Sequence, residues 1–304
     1  MTKQRKKPIK ITRVLFILSC VVVPVAHWLL FYIYTNLSSF AMAFTDKTGA
    51  WSLDNFVRFF NEFLLPSSEI RLALKNKLLT FAIQMVMFPF QVLVSYFIYK
   101  KIPLAKVYRI LFFLPSIIFS VAVSMIFMRM VSTTGFIAQY VQDMLHMEYT
   151  PELLADSRFA NTTVLLYMIW LGIPGDLIIW GGTFARIPEE LLEAGRIDGI
   201  NWWTEFTQIT VPMVWPTVSL QMVLRICGIF GASGQVFLLT GGKYGTITLS
   251  AWMYLQLLNN SGSTYNSNVY NYLSAVGLVM TVIAVAISLV IRKITDKYFD
   301  EVEY

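Results

Sequence analysis

RIPEELLEAGRIDGINWWTEFTQITVP, residues 186–212, stands between two apolar runs, 162–185 and 212–239, each long enough to cross about 30 Å of hydrocarbon. Seven of its 27 residues are charged, so it belongs outside the membrane that its neighbours cross. Four further runs, at 14–36, 72–99, 109–131 and 271–292, complete the pattern. The sequence therefore predicts an all-α, polytopic membrane protein with six transmembrane helices, forming a single domain over 1–304. Composition agrees. Hydrophobic residues make up 56% of the chain and charged residues 14%, where soluble domains carry about 25% charged residues. No ten-residue alternating segments of the β-barrel kind occur. The second and fifth runs exceed the minimum and are expected to tilt or project. Pro24, Pro89, Pro115, Pro174 and Pro216 are tolerated because neighbouring helices satisfy the freed carbonyls.

Six spans place both termini on one side, and the distribution of Lys and Arg chooses it. The segments 1–13, 100–109, 186–211 and 292–304 hold six, four, two and three, fifteen in all. The alternate loops, counting Lys75 and Lys77 with them, hold seven, while Arg129 and Arg225 fall within spans. Positive loops stay inside, so both termini are expected to be cytoplasmic. This also accounts for the +6 net charge without a nucleic-acid partner. The basic start followed by an apolar stretch over 14–34 is longer than a signal-peptide core and reads as an uncleaved first span. Trp51, Tyr140, Tyr149, Trp252, Tyr254, Tyr265 and Tyr270 lie in the outer loops, as expected of segments at or near the interface. Cys20, Cys227 and two histidines, His27 and His146, provide no metal or disulfide framework, and Cys20 and His27 read as span packing.

Within 186–212, Pro188 suits a first helical position, Glu189, Glu190 and Glu193 favour the early turns, and Gly199 supplies a left-handed stop. A short amphipathic helix follows, after which Trp202, Trp203, Phe206, Ile209 and Val211 lead back to Pro212 and the fifth span. On these residues alone it is either an interfacial helix with a Trp anchor or a docking element for a partner.

The order Glu193-Ala194-Gly195, three residues, Gly199, nine residues, Ile209, one residue, Val211-Pro212 resembles the EAA loop of inner-membrane permeases in binding-protein-dependent ABC importers. That pattern is Glu-Ala-Ala, three residues, Gly, nine residues, Ile, one residue, Leu-Pro. Gly195 and Val211 depart from it, and Gly195 is expected to weaken the helix by up to about 1 kcal/mol. Ile187-Pro188, Ile197-Asp198-Gly199, Trp51-Ser52-Leu53-Asp54-Asn55-Phe56 and Phe112-Phe113-Leu114-Pro115 resemble the carbohydrate branch, of maltose and glycerol-phosphate type, so the likeness covers about 10–292. The resemblance implies a permease domain of the bacterial plasma (inner) membrane that translocates a carbohydrate or oligosaccharide. It also implies a second homologous permease as partner, two ATPase subunits and an extracellular solute-binding protein. The cytoplasmic coupling helix would lie between spans four and five, with Glu189, Glu190, Glu193, Ala194, Gly195, Asp198, Gly199 and Pro212 serving ATPase coupling. The chain itself would bind no cofactor, ATP and magnesium residing in the ATPase subunits. Consistently, Gly241-Gly242-Lys243-Tyr244-Gly245 lacks the spacing of a phosphate loop.

Ionisable residues inside a membrane need a partner or water. Counted from the inner ends of their spans, Asp176 and Arg225 sit at similar depth, either as an ion pair between spans four and five or as ligands for sugar hydroxyls. Gln84 and Gln91, seven apart, share one face, and Gln221 lies one turn before Arg225; these amides suit sugar hydroxyls and helix bridging equally. Trp170 and Trp180 offer flat faces for a pyranose or for packing. A secondary transporter would show repeats and midplane carboxylates, of which only Asp176 qualifies. A membrane enzyme would need a His, Ser or metal constellation that the sequence lacks.

Overall fold

The computed structural model describes residues 11–172, 176–231, 234–260 and 267–298. Among them the regular structure is helical apart from one isolated bridge between Thr45 and Trp51. Six stretches are long and apolar enough to span a bilayer: Leu18–Ala43, Glu69–Tyr99, Ser120–Leu145, Ala160–Phe184, Trp202–Cys227 and Asn268–Ile294. Pro174 and Tyr265 lie outside the described residues.

Four spans fall close to the apolar runs, and two are shifted for identifiable reasons. The third run, expected at 109–131, is divided. A helix Ala105–Ile117 contains Pro115, and the chain then takes extended conformation at Ile118 and Phe119 before Ser120–Val131. A proline ring removes one ladder bond and crowds the carbonyl four residues earlier, which favours a break nearby. The Ser120–Val131 helix is followed by a turn closed at Gly135, where any Cβ would stand 2.2 Å from the Met130 carbonyl oxygen, before the helix Phe136–Leu145. The fifth span starts ten residues before its expected position, because Asn201 is extended and its side chain accepts the Thr204 N–H at 2.8 Å, capping a helix that begins at Trp202. Glu205–Thr210 forms a π turn within it. The wider turn gives room to the Gln208 carbonyl, which the ring of Pro212 would otherwise crowd.

The described residues fall into two compact units, one drawn from 1–61 and 260–279, the other from 62–259 and 280–304. In the first, the end of the first span is tied down by amides. Asn55 donates to the carbonyls of Ala43 and Thr45 at 3.2 and 2.9 Å, and Asn271 donates to Thr45 at 3.0 Å. The following turn is closed by Asp46, whose carboxyl is held below the usual carboxylate range by the Thr48 hydroxyl first and then by backbone N–H groups. Cys20 is exposed and the first span has no buried residue before Ala43. Cys20 is therefore presented outward, and His27, also exposed, meets Phe31 of the same span with ring centres 4.8 Å apart.

In the second unit, one apolar cluster joins Phe88, Val92 and Tyr96 of the second span to Trp180, Phe184, Leu192, Phe206, Val214 and Val218. Another joins Val123, Phe127, Val131 and Ala138 to Val164, Tyr167, Val236 and Leu239. Trp252, expected near the interface, is buried. Lys75 and Lys77, counted with an outer loop, lie on the second span; Lys77 is buried and donates to the Gly231 carbonyl at 3.1 Å. Neighbouring Asn76 donates to the carbonyls of Gly245 and Ile247 at 2.7 and 2.9 Å.

Candidate functional site

Three spans of this unit meet at one guanidinium. Arg225 on the fifth span donates through Nη2 to Asp176 Oδ2 on the fourth and, at 2.7 Å, to Gln91 Oε1 on the second. Gln91 in turn donates to the Gly172 carbonyl at 2.5 Å, and the guanidinium lies 4.8 Å from the Phe88 ring centre. The fourth span is two helices, Ala160–Gly172 and Leu177–Phe184, with Asp176 at the head of the second. About a fifth of each charged side chain remains exposed, facing a cavity of about 360 Å³. Its polar lining is Gln84, Gln91, Asp176, Gln221 and Arg225, and its apolar lining includes Ile83, Met87, Met168, Ile169 and Leu224. Arg225 Nε is buried without a hydrogen-bond partner among the described residues. The cavity combines a charge pair of no net charge, three amides and flexible apolar walls, a lining suited to a ligand rich in hydroxyl groups.

Five residues singled out from the sequence thus converge, although they come from three separate spans. Trp170 does not join them; it packs on Phe127 and Tyr167 with ring centres 6.1 and 6.2 Å away. Trp180 is fully buried against Phe88 and Phe184.

The second set lies on the Glu189–Ile197 helix. Pro188 stands one position earlier than expected, at the N-cap, because its ψ of 130° is extended. Leu192 and Gly195 face the protein, whereas Glu189, Glu190, Glu193, Ala194, Ile197 and Asp198 are exposed, and Pro212 is half-buried in the fifth span. Gly199 has φ +72°; its N–H reaches the Arg196 carbonyl at 3.1 Å, and the Ile200 N–H reaches that of Gly195 at 3.1 Å. These two bonds are the Schellman closure that a left-handed residue permits.

Gly195 has a packing reason for lacking a side chain. A Cβ there would meet Ile200 Cδ1 at 2.6 Å and Ile209 Cδ1 at 3.2 Å. Both atoms end flexible side chains, so Gly195→Ala should gain about 1 kcal/mol of helix propensity and return much of it in displacement. Gly195→Leu should overpack the contact and destabilise by about 1–3 kcal/mol. Thermal unfolding of the purified protein in lipid discs separates the two; equal melting points would show that the contact does not constrain position 195.

The family model of the binding-protein-dependent transport system inner membrane component matches residues 91–300, more than half of the chain. The chain belongs to this family. It is accordingly a multi-pass transport subunit of the bacterial inner membrane and not an enzyme. Among curated relatives, the multiple sugar-binding transport system permease protein MsmF of Streptococcus mutans is 25% identical over 91% of this chain and 94% of its own. The arabinooligosaccharides transport system permease protein AraP of Bacillus subtilis is 24% identical over 91% and 87%. A solved bacterial ABC transporter involved in importing the acidic polysaccharide alginate shares the fold, with a TM-score of 0.76 at 22% identity over 93% of this chain and 96% of that one.

One residue of the permease escaped the sequence reading. Glu205, at the start of the π turn, is 3% exposed, and both its carboxylate oxygens are occupied. Oε1 accepts from the Tyr96 hydroxyl at 2.9 Å and Oε2 from Lys100 Nζ at 2.5 Å. Tyr96 is itself enclosed by Phe97, Phe184 and Phe206. A charge among aromatic residues, in Trp202-Trp203-Thr204-Glu205-Phe206, was the available signal.

Proposed function

We propose that the permease is the translocation subunit of an ATP-driven importer for a carbohydrate or oligosaccharide. The observation that carries this is the amide-rich cavity around Arg225 and Asp176, where three spans converge. Sugar names recur among the relatives, and a neighbouring structure includes a periplasmic protein bound to an alginate pentasaccharide. In this reading Asp176, Arg225, Gln84, Gln91 and Gln221 line the substrate pathway, and Trp170, packed on Phe127 and Tyr167, does not.

The Glu189–Ile197 helix is then the cytoplasmic coupling helix. Its exposed Glu190, Glu193, Ala194 and Ile197 recur at helical spacing and form one face. That face seats in an ATPase subunit, and the rigid helix carries ATPase movement into the spans. The working assembly contains this permease as one domain over 1–304, a second homologous permease, two ATPase subunits holding ATP and magnesium, and an extracellular solute-binding protein. Both termini are cytoplasmic.

Two measurements test the reading. Co-expression with neighbouring permease, ATPase and binding-protein genes should yield a complex whose ATP hydrolysis rises with loaded binding protein and whose vesicles accumulate labelled sugar; a complex with neither property ends it. Reporters fused after Lys101 and after Tyr304 should be cytoplasmic and one within 259–267 external, with any inversion refuting the orientation.

A further inference from the structure

We infer that Glu205 is a positioning residue of the transport cycle, fastening the start of the fifth span to the end of the second so that both follow the Glu189–Ile197 helix together. The inference rests on the proposed coupling role of that helix. Its physical basis begins with what the buried carboxylate costs. Glu205 is nearly enclosed and lies among aromatic rings, where a well-packed apolar residue would be as stable or more so. The charge therefore calls for a reason other than stability, and its two bonds supply one: they fix direction and register, which apolar contacts among Tyr96, Phe184 and Phe206 alone leave free to slide.

The location of the bonds gives them a task. The Glu189–Ile197 helix presses on the π turn through the close approach of Gly195 to Ile200 and Ile209. The π turn opens with Glu205. Glu205 holds Tyr96 on the second span and Lys100 at its C-cap, and the same span carries Gln91, which holds Arg225 at the cavity. A displacement of the helix thus reaches the cavity from two sides, along the fifth span to Arg225 and across Glu205 to Gln91. Without the cross-link the second route passes through apolar contacts that can slide, and the bond between Arg225 and Gln91 is left to keep the two walls of the cavity in step.

The test uses the complete reconstituted importer with its ATPase subunits and binding protein, reading substrate moved per ATP hydrolysed. Glu205→Gln and Lys100→Gln should each lower that ratio at least about fivefold while hydrolysis continues, the lower end of usual coupling energies. The exchange Glu205→Lys with Lys100→Glu should restore it to within about twofold. Tyr96→Phe, which keeps the ring packing and removes only the hydroxyl, should lower the ratio less but measurably, and it decides the matter should the charge variants fail to assemble. Unchanged ratios in the single variants overturn the inference, as does a parallel loss of hydrolysis and transport that the exchange does not repair. Because the unmodified complex is assayed alongside, absence of any transport there counts against the importer reading, whereas transport with an unchanged ratio in the variants counts against Glu205 alone.

Discussion

Asp176→Asn and Arg225→Gln, made singly, are each expected to lower the stability of the permease far more than the two made together. The guanidinium and carboxylate bond directly and each is about four-fifths removed from solvent. Removing one leaves the other charged in a setting that repays its desolvation poorly, and for fully buried pairs that cost is about 3–5 kcal/mol. Exposure to the cavity and the remaining bond from Arg225 to Gln91 reduce it here, so about 2–4 kcal/mol is expected for each single change. Asp176→Asn strands the cation, but Gln91 and the Phe88 face still hold it. Arg225→Gln strands the carboxylate and also deprives Gln91 Oε1 of its donor. In the double variant no charge is left over and two amides can bond each other, so much of the loss should return. Membrane yield and thermal unfolding of the three variants give the cycle directly. Additive effects would mean that the pair contributes nothing jointly and would leave Arg225 to act separately in the pathway.

The second large effect concerns the end of the proposed coupling helix. Gly199 has φ +72° and open space where a Cβ would project, so what restricts this position is backbone conformation and not crowding. An L-residue in that region costs about 1–2 kcal/mol, and a β-branched one more. Gly199→Val is expected to leave the left-handed region, break the bond from the Ile200 N–H to the Gly195 carbonyl and turn the helix away from its docking direction. Uptake should vanish while the protein stays in the membrane. Gly199→Asn, which tolerates the same region, should retain most uptake. Glu193→Lys is exposed, disturbs no packing, and should abolish uptake by reversing charge on the docking face. Vesicle uptake normalised to immunodetected protein separates these outcomes; normal transport by the Val and Lys variants would remove the coupling assignment.

The contrast between these sites shows what a single sequence displays. Spans are legible because lipid offers the backbone no hydrogen bonds, so a lipid-facing segment must be a long helix clothed in apolar side chains or part of a closed barrel, and Asn268–Ile294 and Glu69–Tyr99 lie close to the runs that announced them. Gly199 is legible because its backbone requirement is local. The early start of the fifth span was also local, in the Asn201 cap, but Glu205 and the paired Trp residues hid the apolar pattern behind it. Asp176 and Arg225 stand out because charge is rare at that depth. Glu205 does not, since a carboxylate near a loop reads as solvated until Tyr96 and Lys100, more than a hundred residues earlier, are brought to it by the fold. Trp252 misled in the opposite sense, an aromatic residue in a connecting segment that the fold buries.

The second span, Glu69–Tyr99, is a single helix of 31 residues, about 46 Å from end to end. Its contact with Arg225 is at Gln91, roughly 13 Å from Lys100 and roughly 33 Å from Glu69 at the helical rise. Toward Glu69 the same helix is fastened again, by Asn76 to the carbonyls of Gly245 and Ile247 and by Lys77 to that of Gly231. Polar side chains thus grip one helix near both of its ends and beside the cavity, so three levels of the unit are strung on a single span.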